Sequence, residues 1–145
     1  METKLLKKFQ EYCKDKTIAI VGNSSCIFNK SYGAKIDKHD IVIRFNWIIE
    51  KDLKRFATHT GQKFNVYVYA IKSPGRFQSL ISRNNIKNKD FIIRTRHDDS
   101  HYLSEKATKN ILYYCDKEFR DSIPLHLFTR CKEASAGAMT LQFLL

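Results

Sequence analysis

The amino-acid sequence predicts an α/β fold built on a mainly parallel sheet with crossover helices. Two observations carry this. Short apolar runs recur at Thr17–Val21, Ile41–Arg44, Phe64–Ile71 and Phe91–Ile93. Helix-length segments separate them, the alternation expected when parallel strands are joined by crossovers rather than by hairpins.

Taken in order, Leu5, Leu6, Phe9 and Tyr12-Cys13 recur at helical spacing among Lys and Glu, so the chain opens with an amphipathic helix. The strands Thr17–Val21 and Ile41–Arg44 come next. In the third, Val66, Val68 and Ala70 alternate with Tyr67 and Tyr69. Ser73-Pro74 starts a helix carrying Phe77, Leu80 and Ile81, with Ser73 as its cap and Pro74 at a first helical position. After the Phe91–Ile93 strand, Glu105–Asp116 is expected to be helical, and Ala136–Leu145 begins a last helix. The arrangement is Rossmann-like, and ligands of such sheets bind beyond the carboxyl ends of the strands. Gly22-Asn23-Ser24 and Arg44-Phe45-Asn46 both lie at strand ends, which places them on one edge. The run Leu141–Leu145 carries no helix stop signal, so the sequence reads as an incomplete domain, a piece of a longer chain.

At 145 residues the chain is one domain. A hydrophobic content of 43% and a charged content of 28% describe a folded protein rather than a disordered tail. The net charge of +11 favours anionic partners: nucleotides, acidic sugars, nucleic acid or an anionic membrane face touched peripherally. No apolar run approaches the roughly 18 residues of a membrane-spanning helix. The N-terminus lacks the apolar core of a secretion signal. Cys13, Cys26, Cys115 and Cys131 form no CxxC pair, which suits free thiols in a reducing compartment, so a cytoplasmic location is expected.

The stretch TIAIVGNSSCIFNKSYGAKIDKHDIVIRFNW, Thr17 to Trp47, is the densest in signal. It contains neither a P-loop nor a dinucleotide fingerprint, since no second glycine comes after Gly22 until Gly33. What remains is a strand, a glycine that lets the backbone turn, and neutral donors and acceptors that suit a base, a ribose or a single phosphate. A plainer reading is that Asn23-Ser24 make a turn and cap a helix.

VGNS, then Ser31, Gly33, Ile36-Asp37, His39-Asp40, Val42, Arg44 and Asn46, closely resembles the large sialyl motif of the family 29 sialyltransferases. Thr60-Gly61 and Asn65–Val68 resemble the residues immediately downstream of that motif in the family. Ala134-Ser135-Ala136-Gly137 resembles the start of the small sialyl motif. The resemblance implies a glycosyltransferase that moves sialic acid from CMP-sialic acid to a sugar hydroxyl of a glycan acceptor, inverting the anomeric centre, with no metal or other cofactor. It makes residues 1–145 the donor-binding, N-terminal portion of a sialyltransferase-like domain, and it implies donor contacts at Asn23, Ser24, Asn46, Ser135 and Gly137. Free N–H groups and the dipole at a helix N-terminus favour a phosphate near Ser135 and Gly137.

The departures are as informative. The family's large motif usually begins with a cysteine that pairs with one in the small motif; Thr17 stands in that slot. Ala136 replaces the small motif's threonine. The later motifs that bring the general-base histidine have no counterpart here, so the catalytic base is unassigned and transfer by these 145 residues alone is not expected. The resemblance gives His39 a structural role. His59, His101 and His126 have no partner in a recognisable pattern, and Arg96–His101 reads as a polar loop rather than a metal cluster. Two other classes remain: a non-catalytic nucleotide- or sugar-binding module, and a basic nucleic-acid-binding protein. Against the latter, the aromatic residues sit in apolar strand patterns rather than on a stacking platform, and no nucleic-acid partner is expected. The apolar stripe of the final segment, Phe143-Leu144-Leu145, adds an expectation of self-association.

Overall fold

The computed structural model describes residues 2–45, 50–69, 89–94 and 111–113. Five strands form one sheet: β1 (Ile18–Val21), β2 (Ile41–Phe45), β3 (Val66–Tyr69), β4 (Phe91–Arg94) and β5 (Ile111–Tyr113). They are parallel throughout and lie in the order β1-β2-β3-β4-β5. The fold is therefore α/β and Rossmann-like, as the apolar runs predict. Helix α1 (Glu2–Cys13) precedes β1. The β1–β2 connection holds a 3-10 helix (Ser25–Asn29) and α2 (Gly33–Asp37), and the β2–β3 connection holds α3 (Glu50–Arg55) and α4 (Ala57–Thr60).

Every residue of β2 and β3 is buried. This reflects parallel pairing, which covers both faces of the sheet and requires runs that are apolar on both sides. The Val/Tyr alternation in β3 thus marks two covered faces, not one wet and one dry. One face presents Ile41, Ile43, Phe45, Val66, Val68, Phe91 and Ile93 to Phe9 of α1, with Ile18, Ile20, Tyr12 and Cys13 at the margin. Phe9 meets Phe91 edge-on at 5.0 Å between centroids, and Tyr12 lies at the same distance from Phe91. Burying one such phenyl contributes about 1.5–3 kcal/mol. Beyond the end of α1, Asp15 takes a left-handed backbone, φ 56°, a conformation that Asp tolerates better than most side chains.

The span Glu105–Asp116 departs from expectation. Ile111–Tyr113 is a strand, paired in register with Ile92–Arg94, rather than the middle of a helix. The run Ile111-Leu112-Tyr113 is continuous in β-branched, apolar and aromatic residues, which suits a strand better than one stripe of a helix. The helices expected after Ser73-Pro74 and from Ala136 to Leu145 lie outside the described residues.

On the second face, α2 and α4 pack backbone to backbone at Gly33. A Cβ there would stand 1.8 Å from the Ala57 carbonyl oxygen and 2.8 Å from that of Thr58. Only a residue without a side chain permits this approach. Gly33→Ala is therefore expected to destabilise the domain by roughly 3 kcal/mol or more, the cost of overpacking against unyielding backbone. Denaturant unfolding of the variant measures it.

Candidate functional site

The site rests first on what holds the strands in place, beginning with the turn that leads into β3. Asp37, at the end of α2, accepts the backbone N–H of Gln62 at 2.9 Å and of Lys63 at 2.8 Å. From the other side Arg44, buried in β2, donates from Nε to the Lys63 carbonyl (2.9 Å) and from Nη2 to that of Thr60 (2.7 Å). The turn between α4 and β3 is thus gripped by a carboxylate on its donors and a guanidinium on its acceptors. Gly61, at φ 65°, makes the turn, and a Cβ there would stand 2.4 Å from Asp37 Oδ1. Burial pushes the Arg44 pKa down to about 10, with the Asp37 charge opposing the shift. Nη1 has no hydrogen-bond partner among the described residues.

The amino edge is closed by a line of side-chain bonds. Thr17 donates its N–H and hydroxyl to Asp40 Oδ2 (2.8 and 2.7 Å), and its hydroxyl accepts the Asp40 N–H at 3.0 Å. Thr17 therefore stitches the start of β1 to that of β2. Asn65 Oδ1 accepts the Val42 N–H at 2.9 Å, and Tyr12 donates its hydroxyl to Asp90. Nδ1 of His39 bonds the carbonyls of Lys35 (3.0 Å) and Ile36 (3.2 Å) at the end of α2.

At the carboxyl edge, Asn23 lies just past β1 and donates its Nδ2 to the Phe45 carbonyl at 2.9 Å. This bond fixes the amide orientation, because a carbonyl must face the NH₂ end, and leaves Oδ1 turned away from the strand junction. Ser24 caps the 3-10 helix, its hydroxyl accepting the Cys26 N–H at 3.3 Å. The plainer turn-and-cap reading is thus realised for Ser24, while Asn23 bridges two strand ends. Gly22 behaves differently from the reading as a turn residue. Its φ is not positive, and an added Cβ would meet nothing within 4 Å. Neither backbone conformation nor packing demands glycine there. Asn46, Ser135 and Gly137 lie outside the described residues, as do His97, His101 and His126.

Gly22 and Ser24 open onto a groove of about 370 Å³ along β1, bounded also by Ile27, Tyr32, Lys35 and His39. The sequence reading does not pair Lys35 with His39, although their four-residue spacing is a helical-face signal. Nor does it single out Phe28, which keeps 44% of its surface exposed on the 3-10 helix beside this loop. Among the described residues no cluster of three or more His, Cys, Asp or Glu could hold a metal, and no helix is long and apolar enough to cross a membrane.

A parallel α/β sheet whose amino edge is closed by side-chain bonds, and whose carboxyl edge presents an oriented amide beside an open glycine, has the layout of a ligand-handling α/β enzyme domain. The chain belongs to glycosyltransferase family 29 (sialyltransferase), whose family model matches residues 3–133. It is also 46% identical over 48 residues to the beta-1,6-galactosyltransferase GALT29A of Arabidopsis thaliana, a match covering 33% of this chain and 11% of that protein.

The bonds at the two edges generate two stability predictions. Arg44→Met leaves the Thr60 and Lys63 carbonyls without their donor and should cost about 3 kcal/mol. Because Asp37→Ala loosens the same turn, the double variant should fall short of the sum by roughly 0.5–3 kcal/mol in a denaturant cycle. Asp40 is held below the usual carboxylate range, first by the Thr17 N–H and then by its hydroxyl. Its contribution is therefore complete above about pH 4 and fades as pH falls through the lowered native pKa. Asp40→Asn should flatten the dependence of Tm on pH below that point.

Proposed function

We propose that this chain forms the donor-binding part of a sialyltransferase: it holds CMP-sialic acid for transfer to a glycan hydroxyl with inversion. Membership of family 29 is the observation that carries the reading. In the transfer the acceptor oxygen bonds to the anomeric carbon, the bond from that carbon to the CMP phosphate oxygen breaks, and a base takes the hydroxyl proton. Asn23 supplies a fixed acceptor, Oδ1, for an amino or hydroxyl group of the nucleotide, since its NH₂ end is already bound to Phe45. Gly22 keeps the space beside it clear, so the nucleotide can approach the backbone closely. Asn46, the residue after Phe45, is the proposed second donor contact, with Ser135 and Gly137 on the phosphate.

A second reading is supported by the aligned relative, whose name describes galactosyl transfer. In that case the same loop would hold a nucleotide-galactose. Calorimetry with CMP and UDP separates the two. Under the leading reading CMP binds more tightly than UDP; the reverse order selects the galactosyl donor.

The glycine provides the sharper test. Gly22→Ala is expected to unfold at the parental temperature, because the added methyl clashes with nothing. It should nevertheless weaken CMP binding by about tenfold, as a crowded contact in a tightly fitted site would. Asn23→Ala should cost on the order of 1–3 kcal/mol of binding. Unchanged CMP affinity in both variants removes the site.

A further inference from the structure

The 3-10 helix next to the candidate donor loop carries an arrangement that the donor does not use. Phe28 stands half-exposed with its ring held by two others: Phe56 at 5.2 Å and 71°, and His59 at 5.7 Å and 68°. His59 is itself held, its Nδ1–H donating to the Lys30 carbonyl at 3.1 Å. The guanidinium of Arg55 lies over the Phe56 ring, 5.2 Å from its centroid. Arg55 is exposed and forms no ion pair among the described residues.

We propose that Phe28 and Arg55 form a subsite for an acidic sugar unit of the glycan acceptor. The pyranose C–H face rests on the Phe28 ring, and the sugar carboxylate is taken by Arg55. The proposal rests on the glycosyltransferase reading, in which the acceptor must lie beside the donor loop. Phe28 is four residues beyond Ser24, on the element that Ser24 caps. A ring locked edge-on by two neighbours loses little freedom when a flat ligand settles on it, so it is preorganised for stacking. An arginine already stacked, and without an ion pair among the described residues, offers its planar fork to a carboxylate. The net charge of +11 favours association with acidic sugars over neutral ones. A nucleic acid would need successive platforms along a strand, and one ring with one guanidinium matches a single sugar unit better.

Saturation-transfer NMR and titration on the full chain test this with two probes, methyl β-D-galacturonide and methyl β-D-galactoside, alongside CMP calorimetry. The galacturonide should bind about tenfold more tightly than the neutral sugar, the margin of one charge-assisted contact. Phe28→Leu keeps Phe56 covered but loses the flat ring, and should abolish saturation of the sugar ring protons. Arg55→Gln should reduce galacturonide binding to the level of galactoside. Both variants should keep parental CMP affinity. The proposal is overturned if Phe28→Leu binds both sugars as the parent does, if the parent shows no preference for the acid, or if anionic vesicles or a single-stranded oligonucleotide displace the galacturonide more effectively than excess galacturonide does. CMP binding without sugar binding refutes this subsite alone. Sugar binding without CMP binding refutes the donor reading alone.

Discussion

The turn at Thr60–Lys63, held between the Asp37 carboxylate and the Arg44 guanidinium, is the constraint on which the rest of the domain leans. Asp37 ends α2, Arg44 belongs to β2, and the turn feeds β3, so three elements meet through one set of backbone groups. A buried arginine is costly unless its donors are matched. Here two backbone carbonyls match two of its nitrogens, and the nearby carboxylate offsets the charge. The same clamp keeps α4 against α2 at Gly33, which supports the helical wall behind the groove.

The two edges of the sheet divide their labour chemically. At the amino edge, hydroxyl, amide and carboxylate groups satisfy one another across strands, from Thr17 and Asp40 through Asn65 to Asp90. At the carboxyl edge the polar groups are only half engaged: Asn23 bonds through its nitrogen and presents its oxygen. A scaffold consumes its hydrogen-bonding capacity, whereas a site keeps some of it open.

The sheet was legible in the sequence because parallel strands buried on both faces leave continuous apolar runs, and β1 to β4 did so. The fifth strand was not, because three residues lie within a stretch whose flanks carry helical spacing. The place of Gly22, Asn23 and Ser24 just past β1 was legible too, since a strand end is a position in sequence. The division of roles within the motif was not. Asp37, Arg44 and Gly61 read as motif members, and only geometry shows how they hold the turn before β3. For Arg44 a signal existed: one charge inside Ile41-Val42-Ile43-Arg44-Phe45 must find internal partners. Phe28 left no such trace, because an exposed ring and a buried one look alike in a sequence.

Strand order has a consequence for how this chain is made. Because each strand pairs with its immediate predecessor, every crossover can close as soon as its second strand leaves the ribosome, and the sheet can grow in step with synthesis. Helix α1 is the exception. Its aromatic residues seat on Phe91 and its Tyr12 bonds Asp90, 78 residues later in the chain. Helix α1, made before the strands it covers, is therefore among the last of the described elements to be locked. Until β4 emerges, Phe9 and the sheet face beneath it are left for a nascent-chain chaperone to cover.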